Sequence, residues 1–171
     1  MKPRELILII DFGSQYTQLI TRRIREANVY SEIHSNKISL EEVKSLRPSG
    51  IILSGGPMSV YDEGSPRVDT SILKLGIPVL GICYGLQLIC KDFNGKVEPA
   101  KDREYGKANL IIKAEDDLFK NVKKESVAWM SHGDFVTQMP EGFFVTAESD
   151  HSPICAISNP EKKNIRSAIP S

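Results

Sequence analysis

The chain has 171 residues, of which 40% are hydrophobic and 26% are charged, and its formal net charge is zero. This length and composition are typical of one globular domain that buries its own core, so we expect a single domain over residues 1–171. The balanced charge gives no electrostatic footprint for nucleic acid or an anionic membrane, and we expect neither as a partner.

The three cysteines include no Cys-x-x-Cys pair. An odd number of unpaired thiols argues against a disulfide framework, and this spacing argues against a zinc site, so no metal is expected. Free thiols are typical of a reducing compartment, and the apolar run near the N-terminus is too short for a signal or membrane segment. We therefore expect a cytoplasmic protein.

The first half of the chain alternates apolar runs with helical patterns. Residues 6–10, 29–34 and 49–53 predict buried strands, and residues 14–25 predict a helix with a basic outer side. Ser39 is the predicted N-cap of a short second helix, because a serine side chain there accepts a hydrogen bond from a free backbone N–H.

A helix predicted at about 68–75 precedes a fourth apolar strand, which ends at Gly81. Buried strands that alternate with helices predict a doubly wound, mostly parallel α/β sheet flanked by helices. After Gly95 the pattern changes to shorter alternating runs separated by turns, which predict additional short antiparallel strands in the C-terminal half. These strands are expected near 96–98, 108–113, 126–130, 143–147 and 154–158.

The fourth strand runs directly into Gly81-Ile82-Cys83-Tyr84-Gly85, which is followed by a helical pattern. Gly-x-Cys-x-Gly is the thiol counterpart of a nucleophile elbow, in which glycines permit a strained turn between strand and helix. The turn would place the Cys83 sulfur at a helix N-terminus, where we expect the thiolate to be favoured. On this stretch alone, a buried core cysteine remains an equal alternative.

Three polar or glycine-rich segments follow predicted strands, at 11–13, 54–57 and 81–83. The carboxyl ends of parallel strands form the usual binding site in such sheets, so we expect these segments to converge. Each has a plainer interpretation, since Gly-Gly-Pro is also a common turn. Likewise, His132 in the polar run 129–134 could bind a substrate, orient a loop or cap a strand.

Five motifs stand in order along the chain and together resemble the class I, triad-type glutaminase domains of GMP synthetases. The resemblance covers roughly residues 6–163 and implies a flavodoxin-like fold. The motifs are Asp11-Phe12-Gly13-Ser14-Gln15-Tyr16, Leu53-Ser54-Gly55-Gly56-Pro57, Gly81-Ile82-Cys83-Tyr84-Gly85-Leu86-Gln87, Arg103-Glu104-Tyr105-Gly106 and Trp129-Met130-Ser131-His132-Gly133-Asp134.

The resemblance implies that Cys83 attacks the side-chain carboxamide of L-glutamine, releases ammonia and leaves a thioester that water hydrolyses. The backbone N–H groups of Gly56 and Tyr84 would form the oxyanion hole. The residues implied in holding glutamine are Gly55, Gln87, Ser131, His132, Gly133 and Asp134.

The same resemblance implies a partner. Ammonia would pass to an ATP-pyrophosphatase module, on a separate subunit or on the same longer chain, that adenylates XMP and aminates it to GMP in purine biosynthesis. ATP and magnesium are expected on that module, and no cofactor is expected on this domain. The alternatives are a non-catalytic, partner-binding pseudoglutaminase, another class I amidotransferase subunit, or a different α/β cysteine hydrolase.

The sequence departs from the family near its end. A triad histidine and glutamate are expected on a Gly-Val-Gln-Phe-His-Pro-Glu strand and turn after about residue 163, but residues 164–171 contain neither. We expect that the domain is incomplete there, that a buried strand is missing, and that activity is weak or absent. Codons exist for residues 164–171 that give Ile-Tyr-Gly-Val-Gln-Phe-His-Pro one base later, which predicts a frameshift testable in the nucleotide sequence. Neither His132 nor His151 is expected to replace the base.

Overall fold

The computed structural model describes residues 5–114, 117–150, 152–159 and 165–168, with side chains described for all of these except 100–105, 130–132 and 165–168. Within these residues the helices are α1 (Thr17–Glu26), α2 (Leu40–Leu46) and α3 (Tyr84–Asp92), with a 3-10 helix at Thr70–Lys74. The strands are β1 (Leu6–Asp11), β2 (Tyr30–Ser35), β3 (Gly50–Leu53), β4 (Val79–Ile82), β5 (Lys96–Ile112), β6 (Glu125–Gln138), β7 (Phe144–Ser149), β8 (Ala156–Asn159) and β9 (Ile165–Ala168).

The strands form one sheet in the order β2-β1-β3-β4-β9-β8-β7-β5-β6. The first five in this order are parallel to one another, and their connectivity is that of flavodoxin-like, doubly wound folds. The predicted fold class is therefore confirmed. In such a sheet the chain reverses its winding direction between β1 and β3, and the crevice beyond their carboxyl ends is the usual ligand site.

The C-terminal half extends the sheet with antiparallel pairs, as predicted, but its strands differ in length from the prediction. The run at 96–98 and all but the last residue of the run at 108–113 lie in the single 17-residue strand β5, which pairs with β6. A register shift between Pro99 and Glu104 lets the two strands pair on both sides of this segment.

Strand β9 corrects a second expectation. Its residues pair in parallel with β4, where Gly81 aligns with Ser167, and antiparallel with β8. The place beside β4 is therefore filled by a strand, and the expectation that it is missing is wrong. The histidine and glutamate motif expected after residue 163 has no counterpart in the described residues 165–168.

The predicted helix at 68–75 is replaced by the shorter 3-10 helix. The Asp69 side chain accepts a hydrogen bond from Ser71 N–H and begins it, and Gly76 follows with a positive φ of 74°. A start and a stop this close leave room for little more than one turn. Of the residues described, no helix is both long and apolar enough to cross a membrane.

Helix α3 is the buried centre of the fold, since its residues from Tyr84 to Cys90 are all buried. It approaches the sheet closely because two glycines remove the side chains that would intervene. A methyl group on Gly85 would collide with the Leu53 carbonyl oxygen, and one on Gly81 would lie 2.7 Å from the Gly85 carbonyl group. A larger residue would force the helix away from β3 at Gly85 and away from β4 at Gly81.

We predict that Gly85→Ala lowers the free energy of unfolding by about 1–3 kcal/mol, because the added methyl group meets backbone atoms that cannot rotate away. Urea unfolding followed by circular dichroism measures the change. Gly55→Ala is the matched control, since its methyl group would make ordinary contacts of 3.4 and 3.5 Å. Equal unfolding midpoints for the two variants would contradict the packing argument.

Candidate active site

Cys83 lies between β4 and α3 with φ 50° and ψ −108°. A non-glycine residue at positive φ costs of order 1–3 kcal/mol and persists where the surrounding structure enforces it, commonly at functional sites. This is the strained strand-to-helix turn that the Gly-x-Cys-x-Gly pattern predicts. The thiol is half-buried, so the alternative of a fully buried core cysteine does not describe it.

Gly55, at the end of β3, borders the Cys83 sulfur. A methyl group at Gly55 would lie 3.5 Å from both Cβ and Sγ of Cys83, and 3.4 Å from Ser14 Oγ. A methyl group on Gly55 would therefore lie between these two side chains, in ordinary van der Waals contact with both. Because Gly55 has no side chain, this residue does not cover the sulfur on that side.

Gly56 is packed between the β1 loop and the elbow. A methyl group there would come within 2.8 Å of the Phe12 carbonyl oxygen and 3.3 Å of the Tyr84 ring. The Phe12 and Tyr84 rings themselves are in contact, with centroids 5.3 Å apart and planes tilted by 41°. Gly56 is thus held against Tyr84, which is compatible with the predicted oxyanion hole, and that role stays a prediction.

Two side chains of α3 bind the loop after Gly56, and Arg67 adds a hydrogen bond within the loop. The Tyr84 hydroxyl donates to the Pro66 carbonyl at 2.6 Å. The Val60 carbonyl accepts from Lys91 Nζ at 2.8 Å and from Arg67 Nη2 at 2.9 Å. These bonds keep the glycine segment of β3 next to the elbow.

Asp11 organises the adjoining β1 loop, a role that sequence reasoning missed. Its Oδ1 accepts from Gly13 N–H at 3.0 Å, from Ser14 N–H at 3.3 Å and from the Thr17 hydroxyl at 2.7 Å. The buried Ser54 hydroxyl lies 3.4 Å from the same oxygen and accepts from Phe12 N–H at 3.2 Å. An acidic residue at the end of a buried strand, three residues before a serine and six before a threonine, was the available signal.

The electrostatic expectation for Cys83 is wrong. Burial raises the pKa of its thiol to about 12, and a hydrogen bond from Tyr84 N–H to the sulfur offsets this only in part. Burial penalises the thiolate more strongly than this hydrogen bond stabilises it. Cys83 is therefore a neutral thiol near pH 7 and needs a base to become a nucleophile.

The described histidine side chain, His34, cannot be that base. His34 aligns with Ile10 on β1, Ile10 with Leu53 on β3, and Leu53 with Gly81 on β4. Three interstrand spacings of about 4.8 Å place it roughly 14 Å from the elbow. Its Nε2 lies 3.1 Å from Glu32 Oε2 on its own strand.

The predicted glutamine-holding residues lie after β3 (Gly55), on α3 (Gln87) and on β6 (residues 131–134). Gln87 on α3 donates from Nε2 to the Asp134 carbonyl at 3.2 Å, which ties β6 to the elbow helix. Asp134 Oδ2 is buried and has no hydrogen-bond partner among the described residues. Ser131 and His132 align with Tyr105 and Glu104 in the β5–β6 pair, and Gly133 follows them.

The side chains of Ser131 and His132 lie outside the described residues, as do His151 and Glu161. The other two thiols have no place in this site. Cys90 and Cys155 are buried, and their sulfurs lie 3.5 Å from the carbonyl oxygens of Gln138 and Ser152, respectively. These contacts are typical of packed core cysteines.

A family model described as "Glutamine amidotransferase class-I" matches residues 8–168. The chain belongs to this family. The described part of this family member combines a cysteine elbow with a glycine, Gly55, next to the sulfur.

Curated relatives narrow the comparison. The chain is 61% identical over 159 residues to "GMP synthase [glutamine-hydrolyzing]" of Bacillus licheniformis, which covers 93% of this chain and 31% of the relative. It is 59% identical over 159 residues to the protein of the same description from Bacillus subtilis, with the same coverage. The chain thus spans about a third of the length of these relatives.

Solved structures agree with the fold. A protein from Thermoplasma acidophilum, described as one subunit of a GMP synthase, superposes with a TM-score of 0.87 at 26% identity, over 98% of this chain and 84% of that one. A glutamine amidotransferase from Thermotoga maritima superposes with a TM-score of 0.76 at 21% identity, over 97% and 75% of the two chains. The second match bears on the fold alone.

We predict that Gly55→Ala slows alkylation of Cys83 by iodoacetamide at least about tenfold. An attacking sulfur must come within about 3–3.5 Å of the reacting carbon, and the new methyl group would lie 3.5 Å from the sulfur and hinder that approach. Peptide mass spectrometry after timed quenching gives the rate. In guanidinium chloride the variant and the wild type should react equally fast, and a difference there, or none in the native state, would refute the assignment.

We also predict that Cys83 alkylation accelerates nearly tenfold per pH unit from pH 7 to 10 without levelling off. Only the thiolate reacts, and a pKa of about 12 keeps its fraction small throughout this range. Glutathione alkylated in parallel should approach a plateau near its own pKa. A plateau for Cys83 below pH 9 would show that a neighbouring group stabilises the thiolate.

Proposed function

We propose that this chain is the glutamine-hydrolysing domain of a GMP synthetase and that Cys83 is its nucleophile. The observation that carries the proposal is the strained Cys83 turn, whose sulfur borders Gly55 and is not covered by a side chain of that residue. The identity to GMP synthases supports this branch of the family over other amidotransferases. The proposal concerns the chain's own site. The matched part is 31% of the Bacillus licheniformis relative, and the rest of that protein lies outside this comparison.

The reaction begins when the Cys83 thiolate attacks the carboxamide carbon of L-glutamine. A C–S bond forms, and the carbonyl oxygen takes up negative charge that the N–H groups of Gly56 and Tyr84 stabilise. The C–N bond then breaks, the nitrogen takes up the thiol's proton, and ammonia leaves. Water hydrolyses the thioester to glutamate and regenerates the thiol.

Glutamine lies between the Cys83 elbow and the part of β6 around Asp134, whose carbonyl accepts a hydrogen bond from Gln87. The unpaired, buried Oδ2 of Asp134 is suited to the substrate's α-ammonium group, because a buried carboxylate oxygen without a partner gains most from a charged donor. Gly55, Ser131, His132 and Gly133 complete the set that the family resemblance assigns.

Hydrolysis by this chain is slow, because the first step needs a base that the described site does not provide. The thiol is neutral near pH 7, and His34 is too distant to deprotonate it. Loss of a triad member typically lowers the rate on the order of 10⁴-fold, while substrate binding and transition-state contacts survive. The site therefore binds glutamine and reacts with electrophiles, while its turnover of glutamine is slow.

The ammonia is used elsewhere. The proposed partner is an ATP-pyrophosphatase module that adenylates XMP and aminates it to GMP, with ATP and magnesium bound on that module. The domain itself uses no cofactor in this scheme, since thioester chemistry needs only the cysteine, a base and hydrogen-bond donors.

A partner-binding pseudoglutaminase is the second candidate, favoured by the neutral thiol and by the distance of His34. It differs from the first candidate in one property, because a pseudoglutaminase does not require a glutamine pocket at Cys83. Binding of glutamine at the thiol therefore separates the two.

We predict that the chloroketone analogue of glutamine labels Cys83 once per chain and that L-glutamine protects against it. Ammonia release should be about 10³–10⁴-fold slower than from the Bacillus licheniformis GMP synthase measured alongside. Mass spectrometry locates the label, and a coupled glutamate dehydrogenase assay measures ammonia. Cys83→Ser is the control for both readouts.

Each result bears on the proposal. Protected labelling with slow turnover supports a glutamine site that lacks its base. Turnover equal to that of the Bacillus enzyme and dependent on Cys83 contradicts the missing base. Absence of both labelling and glutamine protection refutes the glutaminase assignment and favours the pseudoglutaminase.

A further inference from the structure

The Ser14 hydroxyl and the Cys83 sulfur both border Gly55. A methyl group on Gly55 would be 3.4 Å from Ser14 Oγ and 3.5 Å from Cys83 Sγ, so these two atoms are at most 6.9 Å apart, the sum of the two distances. A carbonyl carbon about to be attacked sits within about 3–3.5 Å of the sulfur. A substituent on that carbon that points toward Ser14 would therefore lie within hydrogen-bonding reach of its hydroxyl.

The Ser14 hydroxyl is held in place but keeps spare hydrogen-bonding capacity. Its Oγ accepts from Tyr16 N–H at 3.1 Å, and the Ser14 N–H is bound to Asp11 Oδ1. A hydroxyl offers one donor and two acceptor positions, so one acceptor and the O–H remain. Within the described part of the chain, no residue receives that O–H.

The backbone around Ser14 fixes the direction of this hydroxyl. Asp11 binds two successive N–H groups and the Thr17 hydroxyl, so the loop before α1 has few degrees of freedom. Ser14 is also half-buried, which strengthens a hydrogen bond made there compared with one in open water. A polar group that is oriented before the substrate arrives loses little entropy on binding.

We propose that Ser14 is a specificity-determining residue, whose Oγ accepts a hydrogen bond from the side-chain amide N–H of glutamine held at Cys83. The inference rests on the proposed glutaminase function. The amide nitrogen is the group that leaves as ammonia, and the product glutamate has no N–H at that position. The contact therefore favours the substrate over the product.

The test compares two ligands that differ at this one group. Ser14→Ala should raise the glutamine concentration that half-protects Cys83 from iodoacetamide by about 3- to 10-fold, the effect of one hydrogen bond. The chloroketone analogue carries CH₂Cl in place of NH₂, so its labelling rate and half-saturating concentration should stay within about twofold. Ser14→Thr keeps the hydroxyl and should keep glutamine protection near the wild-type value.

Ser35→Ala is the matched control. Ser35 Oγ accepts from Lys37 N–H at 3.3 Å in the same type of turn, at the carboxyl end of β2 and three strands away from β4. Removing this hydroxyl should change neither ligand. An equal loss for glutamine and chloroketone in Ser14→Ala would show a structural role and overturn the inference, as would unchanged glutamine protection.

Failure of the underlying function has a different signature. If wild-type Cys83 is neither protected by glutamine nor labelled by the chloroketone, the glutaminase proposal fails and the role of Ser14 fails with it. If the wild type shows both and Ser14→Ala matches it, the role of Ser14 alone is refuted.

Discussion

The geometry of the site depends on the direct backbone contact between α3 and β3. Because Gly85 has no side chain, the helix lies against the Leu53 carbonyl, and Gly85 N–H donates to the Ser54 carbonyl at 3.2 Å. The helix can therefore begin at Tyr84, directly after Cys83, and this short connection forces Cys83 to a positive φ. Ser54 transmits the same constraint to β1, since its hydroxyl accepts from Phe12 N–H. One close packing contact thus aligns the nucleophile, the glycine segment and the β1 loop.

The same packing has an electrostatic consequence. The half-buried thiol loses hydration, and its pKa of about 12 leaves it uncharged near neutral pH. Activation of Cys83 therefore needs both the right geometry and removal of the thiol proton. The described residues provide the geometry. The register shows where a base could act: Ala168, the last residue of β9, aligns with Ile82, directly before the nucleophile. A side chain carried at the carboxyl end of the strand beside β4 is better placed than His34, which is three strands away.

Much of this fold could be predicted because its signals are local. The apolar runs gave the parallel strands, and Ser39 is the N-cap it was expected to be, in a capping box with Glu42. The helix α1 shows the limit of such patterns. Leu19, an apolar residue of this helix, is 43% exposed, and the buried positions are Thr17 and Thr21. Small residues allow the helix to approach the sheet, and hydrogen bonds made within the protein remove the penalty for burying their hydroxyls.

The site was predictable to the extent that each motif carries its own chemistry. Cys83 between glycines indicates a nucleophile without knowledge of its neighbours, whereas the role of Ser14 depends on which strands lie side by side. Register between β1, β3 and β4 brings residues 14, 55 and 83 together across intervals of 41 and 28 residues that no periodicity records. The protonation state of Cys83 is harder still to predict from sequence. The helix N-terminus and burial shift the pKa of the thiol in opposite directions, and the balance depends on how far the folded protein buries the sulfur. Sequence therefore identifies reactive groups better than it identifies the groups that make them selective.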